Sequence, residues 1–123
     1  MMTMTLCGTI IILGPDERLS ELFLQWLAPL YCVFMANSPL QALQFVAELK
    51  SALLLFAYQL DEITGIDLYD LIHKQQEFAH IPALIFGGDL TMYQPELSKR
   101  NLIGLSTPID RNKLMAVIHR TLN

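Results

Sequence analysis

Short, uniformly apolar runs alternate along this chain with longer stretches whose apolar residues recur every three or four positions. The runs have the length and composition of strands covered on both faces. The stretches have the period of helices with one buried side. The first run, from Thr9 to Leu13, stops at Gly14-Pro15. Asp16 then offers a carboxylate to the free amides of a helix whose stripe is Leu19, Leu22, Phe23, Trp26 and Leu27, and Pro29 closes it. A second strand is expected from Tyr31 to Met35. Ser38-Pro39 is a helix start, with a hydroxyl at the cap and proline at the first helical position; Leu40, Leu43, Val46, Ala47 and Leu49 are expected to face inward. The third strand runs from Ala52 to Ala57, and Gly65 precedes a helix through Leu68, Leu71 and Ile72. Ile81 to Phe86 reads as the fourth strand, with Pro82 tolerated at its start. After Gly87-Gly88, the segment from Pro95 to Arg100 leaves room for only a short helix. Asn101 to Leu105 is the fifth strand, and Asp110 caps a last helix carrying Leu114, Val117, Ile118 and Leu122.

Five strand-helix units of this size predict an α/β fold, a doubly wound parallel sheet with helices on both faces. In such sheets ligands sit beyond the carboxyl ends of the strands, near the point where strand order reverses. That directs attention to Gly14 and Pro15, Ala57, Gly87 and Thr107, each just past a strand. Ala57 offers a methyl group, which neither accepts a phosphoryl group nor holds a metal nor moves a proton.

Composition narrows the reading. At 123 residues the chain is one domain with one core, and 53% apolar content excludes a disordered chain. A net charge of −4 argues against a dedicated nucleic-acid binder. The charge is polarised. Residues 1–98 hold every acid except Asp110 but only Arg18, Lys50 and Lys74 as bases, whereas Lys99, Arg100, Arg111, Lys113 and Arg120 crowd the last quarter. Ordinary surface variation explains this, and so does an interaction surface. Cys7 and Cys32 match no metal or redox spacing and are expected as buried thiols in a reducing cytoplasm. The apolar run from Ile10 to Leu13 is too short to cross a bilayer, and no basic leader precedes it.

The stretch Leu53-Leu54-Leu55-Phe56-Ala57, followed through Tyr58 to Gly65 and then Ile66-Asp67-Leu68, resembles the third unit of response-regulator receiver domains. Further matches are Ile81-Pro82-Ala83-Leu84-Ile85-Phe86 and Leu105-Ser106-Thr107-Pro108-Ile109-Asp110, so that the resemblance covers essentially the whole chain as a single domain, 1–123. It implies the CheY-like, flavodoxin-like arrangement of five parallel strands in the order 2-1-3-4-5. It also implies a degenerate member. Ala57 stands where the family has its phosphoacceptor aspartate, and Gly14-Pro15 stands where paired acids bind Mg²⁺. Gly87 replaces the hydroxyl residue after the fourth strand, Thr107 the lysine before proline, and Gly104 the aromatic switch. Gly65, which starts the third helix, is retained.

Other chemistry-bearing residues have simpler roles. Asp16 and Glu17 serve helix capping more cheaply than a displaced metal site, and Asp61 and Glu62 read as a solvated loop. Gly87-Gly88 could cradle an anion, but no phosphate-loop pattern accompanies it and a plain turn suffices. His73, His80 and His119 are scattered, without ligand spacing. Phe23 and Trp26 are expected in the core, whereas Met92 and Tyr93 are candidates for an interface. Neither a catalytic residue, a metal ligand nor a cofactor is expected.

The resulting expectation is a phosphorylation-independent interaction or dimerisation module of bacterial signalling or transcriptional regulation, located in the cytoplasm. It would contact a protein partner or a second copy through the face of the fourth helix, fifth strand and fifth helix, where Met92, Tyr93, Lys99, Arg100, Arg111 and Lys113 fall. Direct nucleic-acid and membrane contacts are not expected, and an output domain would follow Asn123 if the chain is the N-terminal part of a longer regulator. The alternative is a sensor for a small molecule or nucleotide in the vacated end of the sheet.

Overall fold

In the computed structural model, which describes residues 8–122, five strands form one parallel sheet in the order β2-β1-β3-β4-β5. The strands are β1 (Thr9–Leu13), β2 (Cys32–Ala36), β3 (Leu53–Ala57), β4 (Ala83–Phe86) and β5 (Ile103–Leu105). The helices are α1 (Glu17–Leu27), α2 (Pro39–Glu48), α3 (Gly65–His73), α4 (Gln94–Lys99) and α5 (Arg111–Leu122), with short 3-10 turns at Gln76–Phe78 and Thr91–Tyr93. The doubly wound fold and its strand order are therefore as expected.

The central strands explain the runs. β3 is buried at every position because β1 and β4 flank it and helices cover both faces. Its register sets Ile10 beside Leu53, Leu13 beside Phe56 and Ala57 beside Phe86. Helices α1 and α5 touch on one face, and right-handed crossovers place α2, α3 and α4 on the other. The three caps read from sequence are made. Asp16 accepts from the amides of Arg18 and Leu19 at 3.0 and 3.1 Å, Ser38 from Gln41 at 3.1 Å, and Asp110 from Lys113 at 2.7 Å. Each satisfies orphan amides of a first turn.

Several boundaries and faces differ from expectation. The β2, β3, β4 and β5 strands each begin one or two residues later than the apolar runs do. Leu22, Leu40, Leu71 and Ala47 face solvent rather than the core. On α2 the buried residues are Ala42 and Val46, with Leu43 and Phe45 at the margin. Cys32 is exposed, not buried, because β2 is an edge strand with an open face; the expectation for Cys7 lies outside the described residues. Phe23 is fully buried and Trp26 packs at the edge of the core. No helix among the described residues is long and apolar enough to cross a membrane.

Candidate functional site

Parallel strands end on the same side, so the residues just past β1, β3, β4 and β5 converge. Pro15, Ala57, Gly87 and Thr107 line one open cavity of about 480 Å³ at that edge. Gly14 lies behind it, against Ala57. Gly104 stands apart within β5, where a β-carbon would come within 2.8 Å of Leu97 and 3.1 Å of Leu90. Those two leucines hold the space an aromatic side chain at 104 would need.

The residue that sequence reading missed is Phe86. A β-carbon on Gly14 would stand 2.9 Å from Cζ of Phe86 and 3.4 Å from Cβ of Ala57. The ring of Phe86 thus reaches from the end of β4 past the end of β3 to the end of β1. Phe23 of α1 packs edge-on against it, with centroids 5.0 Å apart and planes at 79°. A hydrocarbon ring fills the ground beside Gly14, and Ala57 next to it is only 6% exposed. The signal was present in the sequence as a bulky aromatic before Gly87 facing a glycine two strands away, but it is legible only once the register is known.

The loop above β3 is drawn down onto the sheet. The amide of Tyr58 donates to the carbonyl of Phe86 at 2.7 Å, and that of Gly65 to the carbonyl of Tyr58 at 2.8 Å. A β-carbon on residue 65 would collide with the carbonyl oxygen of Ala57, which is why glycine starts α3. Thr64 and Asp67 close a reciprocal capping box at 3.1 and 3.2 Å. Asp61 and Glu62 remain in solvent at the tip, as expected.

One wall of the cavity is aromatic. Tyr58 and Tyr93 stack with centroids 4.0 Å apart and planes at 19°. Partial burial pushes the Tyr58 phenol up, and a hydrogen bond with the Tyr93 side chain adds to this, as do the nearby charges of Tyr93 and Asp67. Two carboxylates stand at the rim, Asp16 and Asp89. Asp89 Oδ1 accepts from the hydroxyl and amide of Thr91 at 2.6 and 3.0 Å, which hold its carboxyl below the ordinary carboxylate value.

Gly87 and Gly88 both have positive φ, 126° and 33°, so the turn needs glycine. Part of its backbone is already engaged. The Gly87 amide donates to Leu105, and the Gly88 carbonyl accepts from the Thr107 amide and hydroxyl at 2.9 and 3.3 Å. His73 has a structural place: its ring stacks on Tyr69, and its two nitrogens lie 2.9 and 2.6 Å from the carbonyls of Tyr69 and Ile81. Among the described residues, no group of three or more His, Cys, Asp or Glu could hold a metal ion.

The residues assigned to a contact face divide. Met92 is 78% exposed, and Lys99, Arg111 and Lys113 face solvent. Tyr93 is half-buried against Tyr58, and Arg100 is half-buried in a two-point ion pair with Asp70 of α3. Both serve internal contacts and keep part of their surface in solvent.

No family model matches the chain, and no curated protein does. Solved structures do. A signal receiver domain of an HD domain-containing protein from Pseudomonas fluorescens is 24% identical over 99% of this chain and 91% of its own, with a TM-score of 0.85. A chemotaxis response regulator of Vibrio cholerae is 14% identical over 95% and 100%, also at 0.85. The signal receiver domain of a Luxo repressor protein from Vibrio parahaemolyticus is 20% identical over 95% and 91%, at 0.84. At these identities the likeness is one of fold, the five-stranded CheY arrangement with five helices.

Proposed function

We propose that this chain is a receiver-like domain that works without phosphorylation, as a protein-interaction or dimerisation module in bacterial signalling or transcriptional regulation. The observation that carries this reading is the ring of Phe86 seated against Gly14 where Gly14 meets Ala57. Phosphoryl transfer to a side chain needs a carboxylate nucleophile, a divalent cation and a positive group to receive the transferred oxygens. Ala57 has no nucleophile, Gly14 and Pro15 supply no side-chain oxygen, and Thr107 carries no charge while its hydroxyl is turned to Gly88. With leucines in the space around Gly104, no ring is present there to rotate in response. The domain is then a scaffold rather than an enzyme.

The contact face we assign is that of α4, β5 and α5, for a protein partner or a second copy. Met92 supplies an exposed flexible apolar side chain, and Lys99 of α4 with Arg111 and Lys113 of α5 supply exposed positive charge. The Asp70–Arg100 pair holds α4 in one position, which favours a surface that is permanently presented.

Incubation with acetyl phosphate and Mg²⁺, read by intact mass, tests the chemical half: the expected mass is unchanged, and stoichiometric phosphoryl addition overturns the reading. Sedimentation of the wild type against Met92→Glu tests the surface. Self-association weakened by the charge supports the dimeric form. Dimerisation of equal strength in both proteins refutes the assigned face.

A further inference from the structure

The walls of the cavity at the strand ends combine apolar surface with charge of one sign. Among the described residues no lysine or arginine lines it, whereas Asp16 and Asp89 stand at its rim. The floor and sides are apolar, with Ala57, Phe86, Leu19 and Leu90. Tyr58 and Tyr93 contribute stacked aromatic rings. A phosphate or carboxylate entering would meet two negative groups and no positive one. The Gly87 amide already donates to Leu105, so an anion would find only uncharged donors beside the two carboxylates. A cation, by contrast, gains from the carboxylates and from the electron-rich tyrosine pair.

We infer that this cavity is a binding site for a small organic cation that carries a planar apolar ring. The ring would lie against Leu19, Phe86 and Leu90, and the ammonium would face Asp89 and the tyrosine pair. Each carboxylate has Oδ1 engaged by two donors, Asp16 by amides of α1 and Asp89 by the amide and hydroxyl of Thr91; Asp89 is the better placed because Asp16 caps α1 and sits in the field of that helix. The volume of about 480 Å³ is within the range of small-molecule sites. The inference goes beyond the interaction role and does not depend on it, since it uses the strand ends and not the α4–β5–α5 face.

A matched series isolates the charge: tryptamine, indole and indole-3-acetate share one ring and carry positive, neutral and negative charge. Each is titrated into the ¹⁵N-labelled full chain at low salt while backbone amide shifts are followed. Tryptamine is expected to move the amides of Tyr58, Gly88, Leu90 and Thr107 saturably and to bind at least about tenfold more tightly than indole-3-acetate, with indole between them. Asp89→Asn keeps an oxygen for Thr91 and removes only the charge, and should weaken tryptamine about threefold while leaving indole unchanged. Tyr93→Leu should weaken tryptamine more than indole. Equal affinity across the series, shifts centred away from the strand ends, or no saturation by tryptamine overturns the inference. Any of these results leaves the acetyl phosphate and sedimentation outcomes untouched.

Discussion

Arg100 grips Asp70 at two points, Nε to Oδ1 and Nη2 to Oδ2, each 2.8 Å, and so ties the end of α4 to α3. A third bond, from Nη1 to the carbonyl of Glu96 at 2.8 Å, fixes the guanidinium against its own helix. The arrangement uses the planar fork of arginine, which lysine does not possess. Exposed ion pairs contribute little, but the side chain of Arg100 is only 25% exposed. Arg100→Lys is therefore expected to cost about 1 kcal/mol and to lower the melting temperature by roughly 4 °C. Unchanged calorimetric melting would show that the pair is ornamental.

The same pair sets a pH dependence. The hydrogen bonds from Arg100 hold the Asp70 carboxyl below the ordinary carboxylate value, against the opposing effect of partial burial, with the charges of Arg100, His73 and Lys74 assisting. A carboxyl depressed in the folded state contributes stability that is complete above its unfolded value, about 3.9, and is lost as pH falls through the folded value. Wild type and Asp70→Asn should thus differ in urea stability at pH 7 and converge on acidification below about pH 4. A gap that widens in acid would contradict the assignment.

Gly65 makes a sharper demand. Its α-carbon faces the Ala57 carbonyl so closely that a methyl group would collide with backbone, which has no rotamer by which to yield. Gly65→Ala should lose about 2 kcal/mol in urea unfolding and loosen the loop from Tyr58 to Thr64. Protease nicking within Asp61-Glu62-Ile63 would report the loosening. A loss below about 0.5 kcal/mol would mean that the loop is free to lift.

What the sequence disclosed, and what it withheld, follow from the range of the interactions. Asp16, Ser38 and Asp110 were readable as caps because a cap engages an amide two or three residues away. The wholly buried β3 was readable because a strand covered on both faces must be apolar throughout. Leu22, Leu40 and Leu71 were misplaced because a 3.6-residue period locates a stripe but not its rim, and each of these leucines lies on the solvent side of that rim. The Asp70–Arg100 pair and the Tyr58–Tyr93 stack joined residues on different connections, and no local pattern marks them. Ala57 could be placed at the mouth from sequence, but the ring that lines that mouth beside it could not, because Phe86 belongs to the site only through the register of β3 with β4.

An aspartate introduced at position 57 should not by itself confer phosphoryl chemistry. An Ala57→Asp carboxylate would enter a position 6% exposed, beside the hydrocarbon of Phe86 and without a lysine at 107. Such a group ionises reluctantly, because burial disfavours the charged form and raises its pKa. The sign is opposite to that of Asp70: the variant loses stability above the unfolded carboxylate value, by about 2 kcal/mol at neutral pH, and recovers as pH falls toward about 4. Mg²⁺ should leave the melting temperature of the wild type unchanged and should rescue the variant little, since Gly14 and Pro15 offer no side-chain oxygen. Acetyl phosphate should leave the variant unmodified. Phosphoryl transfer to the introduced carboxylate, or a large Mg²⁺-dependent rise in melting temperature, would show that Asp16 swings in as a metal ligand and that the ring of Phe86 yields to it.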